Sequence, residues 1–435
     1  MNMEAMEVRL TLLALCLALA GCTGIPTSKE KEARSQLASV NAEFKPANLP
    51  TLDTNVTLNA LLRYAMLNQP RVRAAYYDYV ASVERITLER SLPDPRLTLE
   101  LDIQEAVMVV MPGLMADVPW LKRLRTRADE ASAESHARYH AFRQSVLEAA
   151  YEVKRAYFQL RFLEERIKTM RDTLTLAGEL ESVARAQTEA AKATLQDVLR
   201  AQIEQDKLRT EIANLEDSRG PLMARFKAAL GIRPEQPDPP IPTEFEPTPA
   251  KPNFNELQAA AFRHNPRLRQ MQAELQMAEA GIRLARLSRV PDFSAGLEAD
   301  VKASPVMWRP SLGVTLPIWK DKIAAEISAA QAKKSAAQER LSGEEIRLAV
   351  DFAEKSFEFR EAARNVELYA QDLLPKARQA LEVARVSYTS ARTEFINLLD
   401  AERALLEFQL AEIDARTQHE LTMAELSMVI AGIVP

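Results

Sequence analysis

The stretch Pro93–Trp120, PDPRLTLELDIQEAVMVVMPGLMADVPW, decides the fold of this chain. Apolar side chains recur at every second position along each half of it: Leu97, Leu99, Leu101 and Ile103 in the first half, and Leu114, Ala116, Val118 and Trp120 in the second. This period of two predicts strands that have one apolar and one polar face. We therefore predict a β-hairpin at about residues 94–120, with strands of about 9–11 residues, long enough to cross a bilayer when tilted.

The same pattern occurs a second time, further along the chain. Residues 291–300, PDFSAGLEAD, alternate between apolar or small and polar side chains. The return half is formed by Leu312, Val314, Leu316 and Ile318. We therefore predict a second β-hairpin at about residues 292–318.

The segments around the hairpins repeat as well. The sequence NQPRVR at residues 68–73 returns as HNPRLR at residues 264–269, and further matches keep their order along most of the chain. Ordered matches of this kind predict two structural repeats, at residues 58–231 and 254–435. A proline-rich linker at residues 232–253 joins them, and its prolines predict an extended connector because proline does not fit inside a helix.

Long helices are predicted after each hairpin, where the apolar period changes. Apolar residues then step by three and four positions, as in a coiled-coil seam, through Val146, Ala150, Val153, Tyr157, Leu160, Leu163 and Ile167. No proline interrupts residues 122–187, which predicts one helix on the order of 100 Å long. Shorter helices are predicted before the hairpins, at about residues 58–90 and 254–289. The fold class is therefore mainly α with a small β part, which the 27% of charged residues and only 11 glycines also favour.

The N-terminal residues predict export and a lipid anchor. The apolar run Leu10–Ala20 is too short to span a bilayer as a helix, and the sequence Leu-Ala-Gly-Cys ends at Cys22. These features predict a signal peptide at residues 1–21. A cysteine in this position resembles a bacterial lipoprotein signal, in which the thiol is acylated with fatty acids such as palmitate. Residues 22–57 are then predicted to form an extended tether. The alternative is an ordinary signal peptide that happens to contain Cys22.

Four strands per chain cannot complete a membrane-spanning sheet. An unpaired strand edge in hydrocarbon leaves N–H and C=O groups unsatisfied at several kcal/mol each, so the sheet must close. Spanning barrels need about eight or more strands, which predicts that several chains share one barrel. Two copies supply eight strands, and three supply twelve around a water-filled lumen. The lumen is then expected to be lined by the polar strand faces, with Glu100, Asp102, Glu298 and Asp300.

The chain resembles the TolC outer-membrane efflux family in an ordered set of short motifs that runs from about Leu58 to the C-terminus. The motifs are Gln69-Pro70-Arg71-Val72 and Asn265-Pro266-Arg267-Leu268; Pro93-Asp94-Pro95 and Pro291-Asp292-Phe293 before the strands; Pro119-Trp120 and Pro317-Ile318-Trp319 before the long helices; and Leu373-Leu374-Pro375, Tyr388–Phe395 and Leu398-Leu399-Asp400-Ala401. The resemblance implies a passive exit duct, a homotrimer with a twelve-stranded β-barrel in the outer membrane and a periplasmic α-barrel of long antiparallel coiled-coil helices. It also implies a periplasmic adaptor protein and an inner-membrane pump as partners. The implied role is efflux of small molecules or metal ions, or type I secretion.

The resemblance also assigns residues to the periplasmic entrance of the duct. Tyr388, Asn397 and Asp400 match the helical turn at which acidic rings and hydrogen bonds hold the mouth closed in the family. Ala391 stands where the family usually has a turn glycine, and Ala191 stands there in the first repeat. Glycine adopts a positive φ without strain and alanine does not, so these alanines are a departure from the family.

Other chemistry is not indicated. His136 and His140 have the i, i+4 spacing of a metal-binding helix, but they lack the glutamate of a metalloprotease motif and lie among charges, so we predict no metal site. The methionines Met108, Met111, Met115 and Met307 are interpreted as adaptable packing, and the alternative is contact with a soft-metal cargo. The net charge of −5 gives no footprint for nucleic acid. We predict no cofactor and no enzymatic activity. The alternative function is a lipid-anchored periplasmic coiled-coil scaffold whose hairpins do not span the membrane.

Overall fold

A computed structural model describes residues 26–44, 49–52, 56–104, 107–242, 253–300 and 306–430. The helices are α1 Ser28–Glu43, α2 Leu58–Asn68, α3 Pro70–Arg90, α4 Leu121–Glu189, α5 Leu195–Asp217, α6 Arg219–Leu230, α7 Phe254–His264, α8 Pro266–Leu287, α9 Lys320–Glu367, α10 Leu374–Thr389 and α11 Phe395–Val429, with a π-helical turn at Leu368–Leu373. The strands are β1 Arg96–Gln104, β2 Val107–Val118, β3 Asp292–Asp300 and β4 Met307–Thr315. The predicted signal peptide and Cys22 lie outside the described residues.

Both predicted hairpins are present, and they join into one antiparallel sheet of order β1-β2-β3-β4. The pairing of β2 with β3 sets Leu114 opposite Leu297, so the two sequence repeats meet in the middle of the sheet. The return strand of the second hairpin ends at Thr315, earlier than the predicted Ile318. Pro317 has no N–H to donate to a ladder, and Ile318 N instead bonds the carbonyl of Leu316 at 3.0 Å.

The long helix predicted after the first hairpin is confirmed. Helix α4 has 69 residues without a break, which corresponds to about 100 Å. The equivalent stretch of the second repeat is interrupted by the π-helical turn, where Leu374 N bonds the carbonyl of Tyr369. Pro375 follows directly and donates no backbone N–H, so a regular α-helical ladder cannot run through this point.

The single helices predicted before each hairpin are wrong, because each is two helices. Gln69 and Asn265 separate them, with ψ angles of 119° and 121°. Each directly precedes a proline, whose ring disfavours the helical conformation of the residue before it. The Asn265 amide nitrogen donates to the carbonyl of Val429 at 3.0 Å, and Asn68 donates in the same way to Leu230 at 3.0 Å.

The extended tether predicted for residues 22–57 is also wrong, since it contains helix α1. Thr27 caps this helix, because its hydroxyl accepts the N–H of Glu30 at 3.1 Å. The Glu30 carboxylate is fully buried and pairs with Arg90 at 2.8 Å and with Arg34 at 3.2 Å. The threonine three residues before a glutamate is the sequence signal of such a start.

The chain forms two compact units, each of which draws on both repeats. Of the described residues, the first unit contains those within the ranges 1–44, 74–143 and 266–345, and it carries the sheet. The second contains the described residues within 45–73, 144–265 and 346–435. Its core is built on large side chains that are almost fully buried: Leu61, Tyr157, Phe162, Phe226 and Phe395. The linker is non-helical over residues 232–242, and the rest of it lies outside the described residues.

Among the helices that the structure describes, none has a stretch long and apolar enough to cross a membrane.

Candidate functional site

One face of the sheet is apolar and exposed across all four strands. The register aligns Leu97, Leu114 and Leu297 in one row, and Val118, Phe293 and Val314 in another. Leu312 is 87% exposed and Leu97 is 73% exposed. Water-soluble monomers rarely leave so large a continuous apolar surface open, so this face requires a non-aqueous environment.

The opposite face is polar, as the alternation predicts. Glu298 lies opposite Arg309 in the register, and Asp300 pairs with Arg309 at 2.5 Å. Glu100 lies on β1 opposite Met111 and is exposed. Asp300 is therefore paired with a cation, and Glu298 lies opposite that same residue in the register, while Glu100 lies apart from them. The side chain of Asp102 lies outside the described residues.

Sequence reasoning placed Arg96 on this polar face but missed Arg309 and the ion pairs that both arginines form. Arg309 neutralises Asp300, and Arg96 on β1 pairs with Asp117 on β2. Their alternation with apolar neighbours was visible in the sequence, but the partner of each depends on the strand register. The polar face consequently carries paired charges of both signs.

The two outer strands of the sheet leave their far edges open within the chain. In the described part, β1 pairs only with β2, and β4 pairs only with β3. Backbone N–H and C=O groups on such edges need partners wherever water is absent. The sheet of one chain is therefore incomplete as a membrane-spanning element.

The turns that follow α4 and α10 have the same geometry. Ala191 has φ of 54° and Ala391 has φ of 55°, and they are the non-glycine residues with positive φ in the described part. Lys192 N bonds the carbonyl of Gln187 at 2.8 Å, and the second turn repeats this bond across five residues at 2.9 Å. This Schellman-type closure requires a left-handed residue, which glycine adopts freely and alanine only with strain.

The sequence-predicted entrance residues are divided between buried and exposed positions. Tyr388 is buried, and its ring lies 5.3 Å from that of Phe395. Burial raises the pKa of Tyr388 to about 12, and the nearby charge of Asp197 adds to this. Asn397 is exposed and donates its amide to Thr393 at 2.8 Å. Asp400 is exposed as well and lies 3.8 Å from the guanidinium of Arg403, so two of the three residues face outward within a single chain while Tyr388 is buried.

A buried carboxyl group near these turns was missed by the sequence reasoning. Glu402 on α11 is 2% exposed, and neither carboxylate oxygen has a hydrogen-bond partner in the described part of the chain. Burial raises the pKa of Glu402 to about 7, with the charge of Glu204 as the second cause. The adjacent Arg403 binds Glu204 instead, at 2.6 Å. The spacing of Glu402 between Leu398 and Leu405 was the available signal, since it sets a charge in an apolar seam.

Both histidines of the i, i+4 pair are half-buried. Burial lowers the pKa of His140 to about 4, and the charge of Arg143 lowers it further. The pKa of His136 is also lowered by burial. The described residues contain no group of three or more His, Cys, Asp or Glu side chains that could hold a metal ion.

Comparison with known proteins identifies the family. The family model for outer membrane efflux proteins matches residues 61–231 and again residues 257–432. The cobalt-zinc-cadmium resistance protein CzcC of Cupriavidus metallidurans is 22% identical over 372 residues, covering 82% of this chain and 85% of CzcC.

Solved structures share the fold at low identity. CusC superposes with a TM-score of 0.74 at 16% identity, over 87% of this chain and 93% of CusC. The open state of the MtrE outer membrane channel of Neisseria gonorrhoeae superposes with a TM-score of 0.72 at 17% identity, over 89% of this chain and 96% of MtrE. The predicted TolC-like fold is thereby confirmed, and the chain belongs to the outer membrane efflux protein family.

Proposed function

We propose that the chain is one subunit of a passive exit duct, through which a tripartite efflux system exports small molecules or metal ions across the outer membrane. The observation that carries this proposal is the sheet, with an exposed apolar face, a polar face behind it and two open edges. The apolar face contacts lipid, the polar face is hydrated, and the open edges form backbone hydrogen bonds with strands of neighbouring copies. This combination is typical of a wall between lipid and an aqueous pore.

The copies are proposed to form a homotrimer. Three copies supply twelve strands, enough to enclose a lumen that side chains do not fill. Glu100, Asp102, Glu298 and Asp300 are then directed towards that lumen. Because Arg309 pairs with Asp300, the lining has a moderate field of mixed sign rather than a strong acidic one. Such a lining favours the passage of varied solutes over selection of one.

The long helices are proposed to form the periplasmic barrel and to meet an adaptor protein and an inner-membrane pump. The entrance lies at the turns of Ala191 and Ala391, with Tyr388, Asn397 and Asp400 beside them. The pump supplies the energy, since the chain is proposed to have no catalytic role. CzcC is named for cobalt, zinc and cadmium resistance, which supports divalent metal ions as one cargo class.

The N-terminal residues are proposed to be a signal peptide followed by an acylated Cys22. Helix α1 begins soon after that cysteine and is held to α3 by the buried pair of Glu30 and Arg90. An acyl chain on Cys22 thus remains close to the unit that carries the sheet.

The test is a pair of substitutions on opposite faces of one strand. Leu312→Lys introduces a charge on the apolar face at a cost of about 2–4 kcal/mol in the bilayer midplane, while Ser311→Lys puts the same charge on the polar face. We expect the full-length Ser311→Lys variant to migrate as a heat-modifiable trimer and to conduct ions in planar bilayers. We expect the Leu312→Lys variant to do neither.

The scaffold alternative predicts a different result. Both variants would then behave alike, no conductance would appear, and replacing Cys22 by serine would release a soluble monomer. That outcome would refute the duct.

A further inference from the structure

We propose that the end of the sheet next to the helices is a binding surface for anionic phospholipid head groups, and this inference rests on the proposed membrane-spanning function. The surface, here named the basic rim, consists of residues 118–125, 286–292 and 316–322. It surrounds the ends of strands β2, β3 and β4 at which helices α4, α8 and α9 begin or end.

The tryptophans mark where the sheet leaves the lipid. The chain has three tryptophans, and all lie close to strand ends. Trp120 and Trp319 lie in the basic rim and are 47% and 71% exposed, whereas Trp308 lies near the opposite end of β4 and is 65% exposed. Exposed tryptophans at two levels are typical of the two interfaces of a bilayer, where the ring meets the head groups. The basic rim is therefore at head-group level.

The segments of the rim are fixed to one another by one arginine. The Arg123 guanidinium donates to the carbonyl of Leu287 at 2.7 Å and to that of Val290 at 3.2 Å, and it also pairs with Asp292. This joins the start of α4 to the end of α8 and the start of β3. The Trp120 ring lies 6.4 Å from that of Phe293, on the exposed apolar face. The rim thus continues the apolar face without a gap.

The rim is strongly basic in a chain whose net charge is −5. Its basic residues are Lys122, Arg123, Arg125, Arg286, Arg289, Lys320 and Lys322, and its acidic residues are Asp292 and Asp321. Arg123 is paired with Asp292, while the other basic side chains are exposed and form no ion pair that the structure describes. An excess of positive charge at head-group level attracts anionic lipid.

The fold itself does not explain where these cations lie. Lys122 occupies the first turn of α4, where the partial positive charge of the helix end disfavours a cation and no acidic residue offsets it. Lys320 occupies the first turn of α9, where Asp321 offsets only one of the two lysines, Lys320 and Lys322, that flank it. An external anion removes that penalty. The neighbouring tryptophans and the continuous apolar face identify this anion as a lipid head group rather than a protein or a dissolved cargo.

The test uses tryptophan quenching by brominated lipids in vesicles that contain the full-length protein. A Trp308→Phe background restricts the signal to Trp120 and Trp319. Brominated phosphatidylcholine reports whether the rim meets lipid at all, and brominated phosphatidylglycerol, in competition with unlabelled phosphatidylcholine, reports the preference for an anionic head group.

We expect phosphatidylglycerol to be preferred by about tenfold, and high salt to weaken the preference because it screens the attraction. Replacing Lys122, Lys320 and Lys322 together by glutamine is expected to lower the preference to about threefold, because Arg125, Arg286 and Arg289 remain in the rim. The matched control replaces three exposed lysines outside the rim, Lys168, Lys207 and Lys376, and keeps the preference.

The possible failures are distinguishable. No quenching by brominated phosphatidylcholine would refute both the membrane-spanning function and this inference. Quenching without a preference for phosphatidylglycerol, or a preference that salt leaves unchanged, would refute the inference alone. The salt series is measured on the protein whose rim lysines are intact. It therefore tests the preference for phosphatidylglycerol even if the triple variant fails to fold. A preference that stays at about tenfold after the triple substitution, while adaptor binding is lost, would assign the rim to a protein partner and overturn the proposal.

Discussion

The native chain is expected to lose local stability around α11 as the pH rises, because Glu402 is buried. Replacing Glu402 by glutamine is expected to abolish this pH dependence. The carboxyl group is 2% exposed, and no residue in the described part donates a hydrogen bond to it. It lies beside Leu398, Leu399 and Leu405, in the apolar cluster formed by α4, α5, α10 and α11. The positive charge of Arg403 acts on this carboxyl group, but Arg403 is engaged with Glu204 at 2.6 Å.

The magnitude and its sign follow from the pKa of this group. The pKa of Glu402 rises from 4.5 to about 7, mainly because burial penalises the charged form and secondly because of Glu204. Well below pH 4.5 the carboxyl group is neutral in both the folded and the unfolded chain, so it does not lower the free energy of unfolding. As the pH rises towards 7 the unfolded chain ionises first, and the free energy of unfolding falls by about 3 kcal/mol in all. Above pH 7 the loss is complete and constant.

The Glu402→Gln variant keeps the shape and cannot ionise. Both the amide and the protonated carboxyl leave polar atoms unbonded in the apolar cluster, so the two chains are expected to be similarly stable at pH 5. At pH 8 the variant is expected to be more stable locally by about 3 kcal/mol, which is about a hundredfold in the opening equilibrium. Glu407→Gln, on the same helix at an exposed position, is the matched control.

The assay is amide hydrogen exchange of the peptides from α11 in the full-length protein, between pH 5 and pH 8. Exchange rates are corrected for the pH dependence of the chemical step. Protection in the native chain and in the control is expected to fall about a hundredfold over this range, while the Glu402→Gln variant stays level. Native protection that does not change with pH, or a variant that follows the native curve, would refute the reasoning.

Three further predictions concern backbone strain and a buried charge. Ala191→Gly together with Ala391→Gly should slow hydrogen exchange in both turns and stabilise each by about 0.5–1 kcal/mol, since relief of strain exceeds the added chain entropy; faster exchange would contradict this. Gly231→Ala should destabilise by about 2–4 kcal/mol, because Gly231 has φ of 71° and an added Cβ would lie 2.8 Å from the backbone before α3. Its control is Gly178→Ala, where nothing lies within 4 Å and a rise in the thermal midpoint is expected. Glu30→Gln should cost about 3–5 kcal/mol and make α1 sensitive to protease, since it removes the buried carboxylate that pairs with the buried Arg90 guanidinium. Unchanged protection of α1 would exclude this role.

The local pattern of the sequence determined the elements and the two faces of the sheet. Alternation at Leu97 and Leu99, or at Phe293 and Leu297, reports which side of a strand is apolar, because a strand turns its side chains by a half-turn at each residue. Helix α4 was predicted from apolar residues that recur every three or four positions and from the absence of proline in residues 122–187. The turn at Ala391, which has a positive φ, was implied by the family resemblance, since the family usually has a glycine at this position.

Only the tertiary structure decided which elements meet. The pairing of Leu114 with Leu297 joins residues from different repeats, and no local periodicity encodes a partner so distant in the chain. The break at Gln69 depends partly on packing, because Asn68 is held by a carbonyl at the end of α6. Glu30 and Glu402 look alike in the sequence as glutamates on helices, yet the first is buried with two arginines and the second with none. The residue type fixes which charges and hydrogen bonds a side chain is able to form. Its burial and its partners fix which of these it forms, and both depend on contacts between residues that are distant in the chain.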